Sequence, residues 1–249
     1  MYSYLLINCA SIAIPLLLSF EKRVAYYKKW KALIPAIALM AFVFITWDIY
    51  FTHIGIWGFN PKYLSGIYLA NLPLEEYLFF FCIPYSCLFI YEVLNYYNPD
   101  DILKKYRKSI SVFLLLLLVL LAIAFHDRLY TVVTFTLTSI FLLYLLISGK
   151  DGYLGRFYLA YAVSLIPFFI VNGILTGTAL TEPIVWYNDA ENIGYRLGTI
   201  PVEDTIYSMI MLLMTTHFYE WLKAKLNCCT TKKPPHIDNE TASKFNRIS

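Results

Sequence analysis

Two carboxylates in tandem head an apolar run in the stretch NLPLEEYLFFF, Asn71–Phe81, and the pattern returns as GTIPVEDTIYS, where Glu203 and Asp204 stand as Glu75 and Glu76 do. Carboxyl groups at the edge of a greasy segment suit one chemistry above others: passing a proton to, or taking one from, something that is itself apolar. Desolvation favours the neutral acid, and a second carboxyl nearby keeps one member of a pair protonated, so a tandem pair can supply both an acid and a base. A local explanation competes. Proline fits the first turn of a helix and acids there complement its dipole, so Pro-x-Glu-Glu is also a good helix start. Recurrence of the motif favours chemistry for Glu75, Glu76, Glu203 and Asp204. Glu92 and Glu220 also recur, but they lie beside lysines at the other end of their segments and fit simple ion pairing.

The elements that hold these acids belong to a bilayer. The chain has 249 residues, of which 59% are hydrophobic and 15% charged, against about a quarter charged in a soluble domain. Apolar runs long enough to cross a membrane predict seven helices, near Tyr2–Phe20, Ala32–Phe51, Leu74–Tyr97, Ser109–Phe125, Leu129–Ser148, Phe157–Leu180 and Val202–Leu222. All of the 20 Lys and Arg except Lys62, Arg128 and Arg196 then fall on one side. The positive-inside rule places the N-terminus outside and the C-terminus in the cytoplasm. A helix over Tyr77–Tyr91, between the acidic pair and Glu92, rises only about 22 Å, less than the roughly 30 Å hydrocarbon core. Some carboxylates must therefore sit at or inside the core boundary, where ionisable groups mark function.

A shift of 128 residues lays the third predicted span on the seventh: Asn60 on Asn188, Gly66 on Gly194, Pro73 on Pro201, and the acidic pair on its counterpart. The fold expected is all-α and integral to the membrane, with seven transmembrane helices arranged as two parallel three-helix repeats. The repeats occupy residues 1–108 and 129–226, joined by a linker helix over 109–128 and followed by a polar, disordered cytoplasmic tail over 227–249. An odd number of helices per copy would invert the second one; the linker restores the parallel orientation.

Around the acids, Trp47, Tyr50 and Trp57, with Trp186, Asn60 and Asn188, read as an interfacial aromatic belt or as a substrate pocket whose ring faces attract a cation. Asp48, near the end of the second span with an uncharged counterpart, is a candidate proton relay. Other chemistries find no residues. A net charge of +3 does not suggest nucleic acid; no Cys/His spacing suggests a metal; no GxGxxG suggests a dinucleotide.

At Pro73-Leu74-Glu75-Glu76 and Pro201-Val202-Glu203-Asp204 the chain resembles the heterodimeric-type lycopene cyclases in their fused, two-repeat form. The resemblance reaches to about Leu222. It implies a lycopene β-cyclase, an isomerase of carotenoid synthesis that turns linear end groups into β-ionone rings without a cofactor. It further implies lycopene or a related linear carotenoid as substrate, the lipid bilayer as surroundings, other enzymes of the pathway as neighbours, and a bacterial cytoplasmic (inner) membrane as location. Of the four motif acids, Glu75 and Glu203 are expected to matter most, with Glu76 and Asp204 next. The rival from another class is a proton-coupled small-solute transporter, since some carriers share the three-plus-one-plus-three layout.

Overall fold

A computed structural model describes residues 2–230, with side chains to 226. Seven α-helices carry the described residues: α1 Ser3–Leu18, α2 Trp30–His53, α3 Leu74–Tyr97, α4 Arg107–Ala124, α5 Leu129–Ile147, α6 Leu154–Leu175 and α7 Val202–Thr230. Five of them, α2 to α6, are long and apolar enough to cross a membrane. The 16-residue α1 is apolar but shorter, rising about 24 Å. In α7 the acids at the head and the polar Ser208, Thr215, Thr216 and His217 dilute the apolar character. The expected polar tail lies, from residue 231 onward, outside the described residues, while α7 itself runs eight residues beyond the expected Leu222. The sixth helix stops at Leu175 rather than Leu180, because Gly177 takes a positive φ of 112° that turns the chain out of the helix.

The outward faces are apolar. Phe113, Leu116, Leu120 and Ile123 of α4 are exposed, as are Leu6 and Leu17 of α1, more grease than a water-facing surface carries. With apolar side chains both inside and outside, close packing and hydrogen bonds between helices must set the arrangement. Met40, Phe44, Phe80, Phe135, Leu142 and Leu213 form the main core. Ser19 bonds Tyr85 at 2.5 Å, joining α3 to the residue just after α1, and Ser111 bonds Tyr158 across α4 and α6 at 2.5 Å. Helix α2 packs on α7, and α6 packs on α3, so each half of the chain lends a helix to the other; α1 lies on α3, and α5 on both α4 and α7.

Short strands fix one end of the bundle. After α2, β1 (Trp57–Phe59) pairs antiparallel with β4 (Val185–Tyr187), which follows α6. The pair is closed at both ends by matching bonds: Asn60 N–H donates to the Ile184 carbonyl and Asn188 N–H to that of Ile56, each at 2.8 Å. Two hairpins, β2 (Tyr68–Leu69) with β3 (Leu72–Pro73) and β5 (Arg196–Leu197) with β6 (Ile200–Pro201), then deliver the chain into α3 and α7. Positive φ angles at Gly66 and Gly194, 85° and 80°, open these loops in the same way.

Candidate active site

The hairpins place both acidic pairs in the first turns of their helices, and within each pair the two side chains part company. Glu75 and Glu203 turn back toward the loops that precede them. Glu75 Oε1 accepts the Ser65 N–H at 2.6 Å, and Glu203 Oε1 accepts the Ile193 N–H at 2.7 Å together with the Thr131 hydroxyl at 2.6 Å. Both are fully buried, and the second oxygen of each has no protein partner. Glu76 and Asp204 point instead into the bundle, where a cavity of about 70 Å³ lies between them.

Each of these two acids meets a tyrosine from the start of a neighbouring helix. Tyr4 of α1 donates to Glu76, and Tyr130 of α5 donates to Asp204 at 2.6 Å. The surroundings are otherwise unequal. Asp204 Oδ2 also accepts from Tyr187 and from the Asn172 amide, both at 2.8 Å, whereas Glu76 accepts from Tyr4 alone. A third carboxylate completes the set. Asp48, five residues before the end of α2, lines the same cavity, with Oδ1 held by the Trp57 indole and, at 3.3 Å, by Thr52, and with Oδ2 unpartnered. Asp48 therefore joins Glu76 and Asp204 at the cavity, whereas Glu75 and Glu203 do not line it.

Rings fill the rest of the wall. Trp57 and Tyr130 meet edge to face at 5.2 Å, and Tyr130 stacks on Tyr187 at 6.0 Å, with Tyr207, Phe59 and Phe79 alongside. Tyr187 lies on β4, outside the helices; burial and the adjacent Asp204 push its phenol well above the usual range, so it remains a hydrogen-bond donor at any physiological pH. Of the six candidate pocket residues, only Trp57 lines the cavity. Trp47 is one shell out, its ring 4.9 Å from that of Tyr207. Tyr50 is 59% exposed. Asn60 and Asn188 cap turns, accepting the N–H groups of Lys62 and Ala190 at 3.1 Å. Trp186 covers Gly58, where a Cβ would strike its indole. These four therefore shape the end of the bundle rather than the cavity.

At the far end, Glu92 is buried between Lys29, Lys223 and the Tyr219 hydroxyl, while Glu220 accepts from Tyr91 at 3.0 Å. This cluster is about 24 Å along α3 from Glu76 and serves as an ionic tie. Among the described residues, no three His, Cys, Asp or Glu side chains converge as a metal site.

The profile of the lycopene cyclase family matches residues 1–94 and 127–222, most of the chain and two separate segments. The chain belongs to the lycopene cyclase family. No curated protein and no solved structure matches it. Family membership makes it a carotenoid cyclase acting on a linear carotenoid, and the two matched segments each contain one acidic pair. The residues between them, 95–126, include all of α4.

Proposed function

We propose that this cyclase closes β-ionone rings by proton chemistry alone, as a non-redox isomerase. The observation that carries the reading is the convergence of three carboxylates, Asp48, Glu76 and Asp204, from three different helices on one buried, ring-lined cavity. A proton added at C2 of the end group leaves a cation at C1. The C5=C6 double bond attacks it, forming the C1–C6 bond and moving the charge to C5. Loss of the C6 proton restores the double bond, so one proton enters and one leaves. Glu76 and Asp48, each with an oxygen not committed to a donor, are suited to move those protons. Asp204, held by three donors, supplies fixed negative charge, and the faces of Trp57, Tyr130 and Tyr207 attract the cation.

The same reading takes the chain as seven spans forming two parallel three-helix repeats, residues 1–108 and 129–226, around the linker. The recurrence of specific bonds supports it: Ser65 to Glu75 and Ile193 to Glu203, Tyr4 to Glu76 and Tyr130 to Asp204, Tyr91 to Glu220 and Tyr219 to Glu92. A bacterial cytoplasmic membrane is the proposed location. Nothing in the family match or the cavity favours solute transport.

The test is the purified protein in lipid vesicles with lycopene and no flavin or nicotinamide. Products carrying β-ionone rings are expected. Conversion that depends strictly on an added dinucleotide, or rings of another type, would overturn the proposal.

A further inference from the structure

A cavity of about 70 Å³ has room for only a handful of waters, far too little for a carotenoid. A second hollow of about 530 Å³ adjoins it, running between α1, α3 and α6. The two share Phe79, Ile83, Phe168, Asn172 and Ser208 as a common wall, so the hollow opens onto the face where Asn172 holds Asp204. Its lining is almost wholly apolar and extends along α3 from Phe79 to Ile90, about 16 Å. Its outer rim is formed by exposed residues such as Ala10, Ile14 and Ile170, so it is open to the side of the bundle, where lipid would lie.

Small side chains make this groove. Ala10 and Ser11 on α1 and Ser86 on α3 leave the space open. The position corresponding to Ser86 at the 128-residue shift is Met214 of α7, a longer side chain packed against the main core. At the same shift Ala10 meets Thr138, so two of the three small residues do not recur, and α6 of the other half supplies the facing wall.

We propose that this groove holds the unreacted polyene of the linear carotenoid, which enters sideways from the bilayer and passes its end group between Phe79 and Phe168 to the carboxylates. The inference rests on the carotenoid cyclase reading and adds where the long part of the substrate lies. An apolar chain demands no hydrogen bonds, which suits a wall with almost no polar surface. Among its polar side chains, Asn172 and Ser208 lie in the wall shared with the cavity, where chemistry is required.

The experiment compares wild-type protein with Ala10→Trp and Ser86→Met, using Leu6→Trp as a control. Leu6 is exposed on the same helix but is not part of the groove. Ala10 is also exposed, so the added ring fills the groove without disturbing the core. KM and kcat for lycopene in vesicles and the pigment retained on purification are measured, with thermal unfolding as a check on folding. Ala10→Trp and Ser86→Met should raise KM tenfold or more and retain little pigment, with unfolding temperatures like that of Leu6→Trp. If wild type cyclises lycopene and Ala10→Trp does so with unchanged KM and pigment retention, the groove holds lipid rather than substrate and the proposal fails. If wild type retains lycopene without cyclising it, and Ala10→Trp abolishes retention, the groove assignment stands while the ring-closure reading falls.

Discussion

At the scale of single residues, the two members of each acidic pair take different partners, one in the preceding loop and one beside the cavity, and substitution tests whether their roles differ as well. Gln at position 75 or 203 keeps a carbonyl that can accept the Ser65 or Ile193 N–H, so the loop clamp survives. Gln at 76 and Asn at 48 remove the proton from groups that line the cavity. Loss of a general acid or base typically costs on the order of 10²–10⁴ in rate. Glu76→Gln, Asp48→Asn and Asp204→Asn are therefore expected to lose nearly all ring closure in vesicle assays, and Glu75→Gln and Glu203→Gln to lose less. This order reverses the one expected from the motif alone. Equal, near-complete loss in all five variants would contradict it. Removing the Tyr187 hydroxyl should have an intermediate effect: a hydrogen bond to a charged acceptor is worth about 2 kcal/mol, or roughly thirtyfold in rate if it is fully expressed in the transition state. Tyr187→Phe with unchanged kcat would show that the hydroxyl only supports folding. The acids were legible in the sequence because charge is rare among apolar residues. Tyr4, Tyr130 and Tyr187 were not, because a chain with 22 tyrosines gives no contrast by type. Asn172 did leave a signal, since an amide within an apolar span needs a partner.

At the scale of elements, the hairpins before α3 and α7 are built alike but not equally well. Each turns on a residue with positive φ: Gly198 at 68° in the second and Ala70 at 53° in the first. A left-handed conformation costs an L residue about 1–2 kcal/mol, of which glycine's greater chain entropy returns part. Ala70→Gly should therefore stabilise the protein by about 0.5–1 kcal/mol, read as a higher unfolding temperature in detergent with activity retained; a lower temperature would argue against strain at this turn. A second tie lies at the opposite end, where Arg107 Nε at the start of α4 donates to Asp151 in the α5–α6 loop at 3.0 Å. Burial pushes the Asp151 carboxyl up, but the hydrogen bond and charge of Arg107 prevail and hold it below the usual carboxylate range. Its folded value being depressed, its stabilisation is present above the ordinary carboxylate value of 3.8 and is lost as pH falls through the lower folded one. Asp151→Asn should cost about 2 kcal/mol at neutral pH, and the gap to wild type should close in strong acid. A gap that persists there would show that the charge is not what stabilises this loop. The helices themselves were legible, since apolar runs and their breaks bound them closely. Their neighbours were not. Nothing in the spacing of residues says that α2 packs on α7 and α6 on α3, because in an apolar bundle all faces read alike.

At the scale of the whole molecule, the paired strands put both acid-bearing loops at one end. Trp57 and Tyr187 face each other across β1 and β4, so the loops after α2 and after α6 must share a side of the bundle, as two parallel repeats require. Charge is distributed accordingly: Lys62, Arg128 and Arg196 lie at this end, while the other Lys and Arg among the described residues fall at the opposite one. By the positive-inside rule, the expected position of the acids is near the outer surface of the membrane. Orientation is set by charge and not by packing, so it is tested separately from the fold. In a cysteine-free background, single cysteines replacing exposed Tyr68 and Tyr195 sample the two hairpin loops, and one replacing exposed Ile102 samples the opposite end. A membrane-impermeant maleimide added to intact cells should label positions 68 and 195 alike, and reach 102 only after permeabilisation. Labelling of 102 alone would invert the protein without disturbing its architecture. Labelling of 68 but not 195 would break the parallel arrangement itself, and with it the shared cavity, because Glu76 and Asp204 could not then meet from the same end.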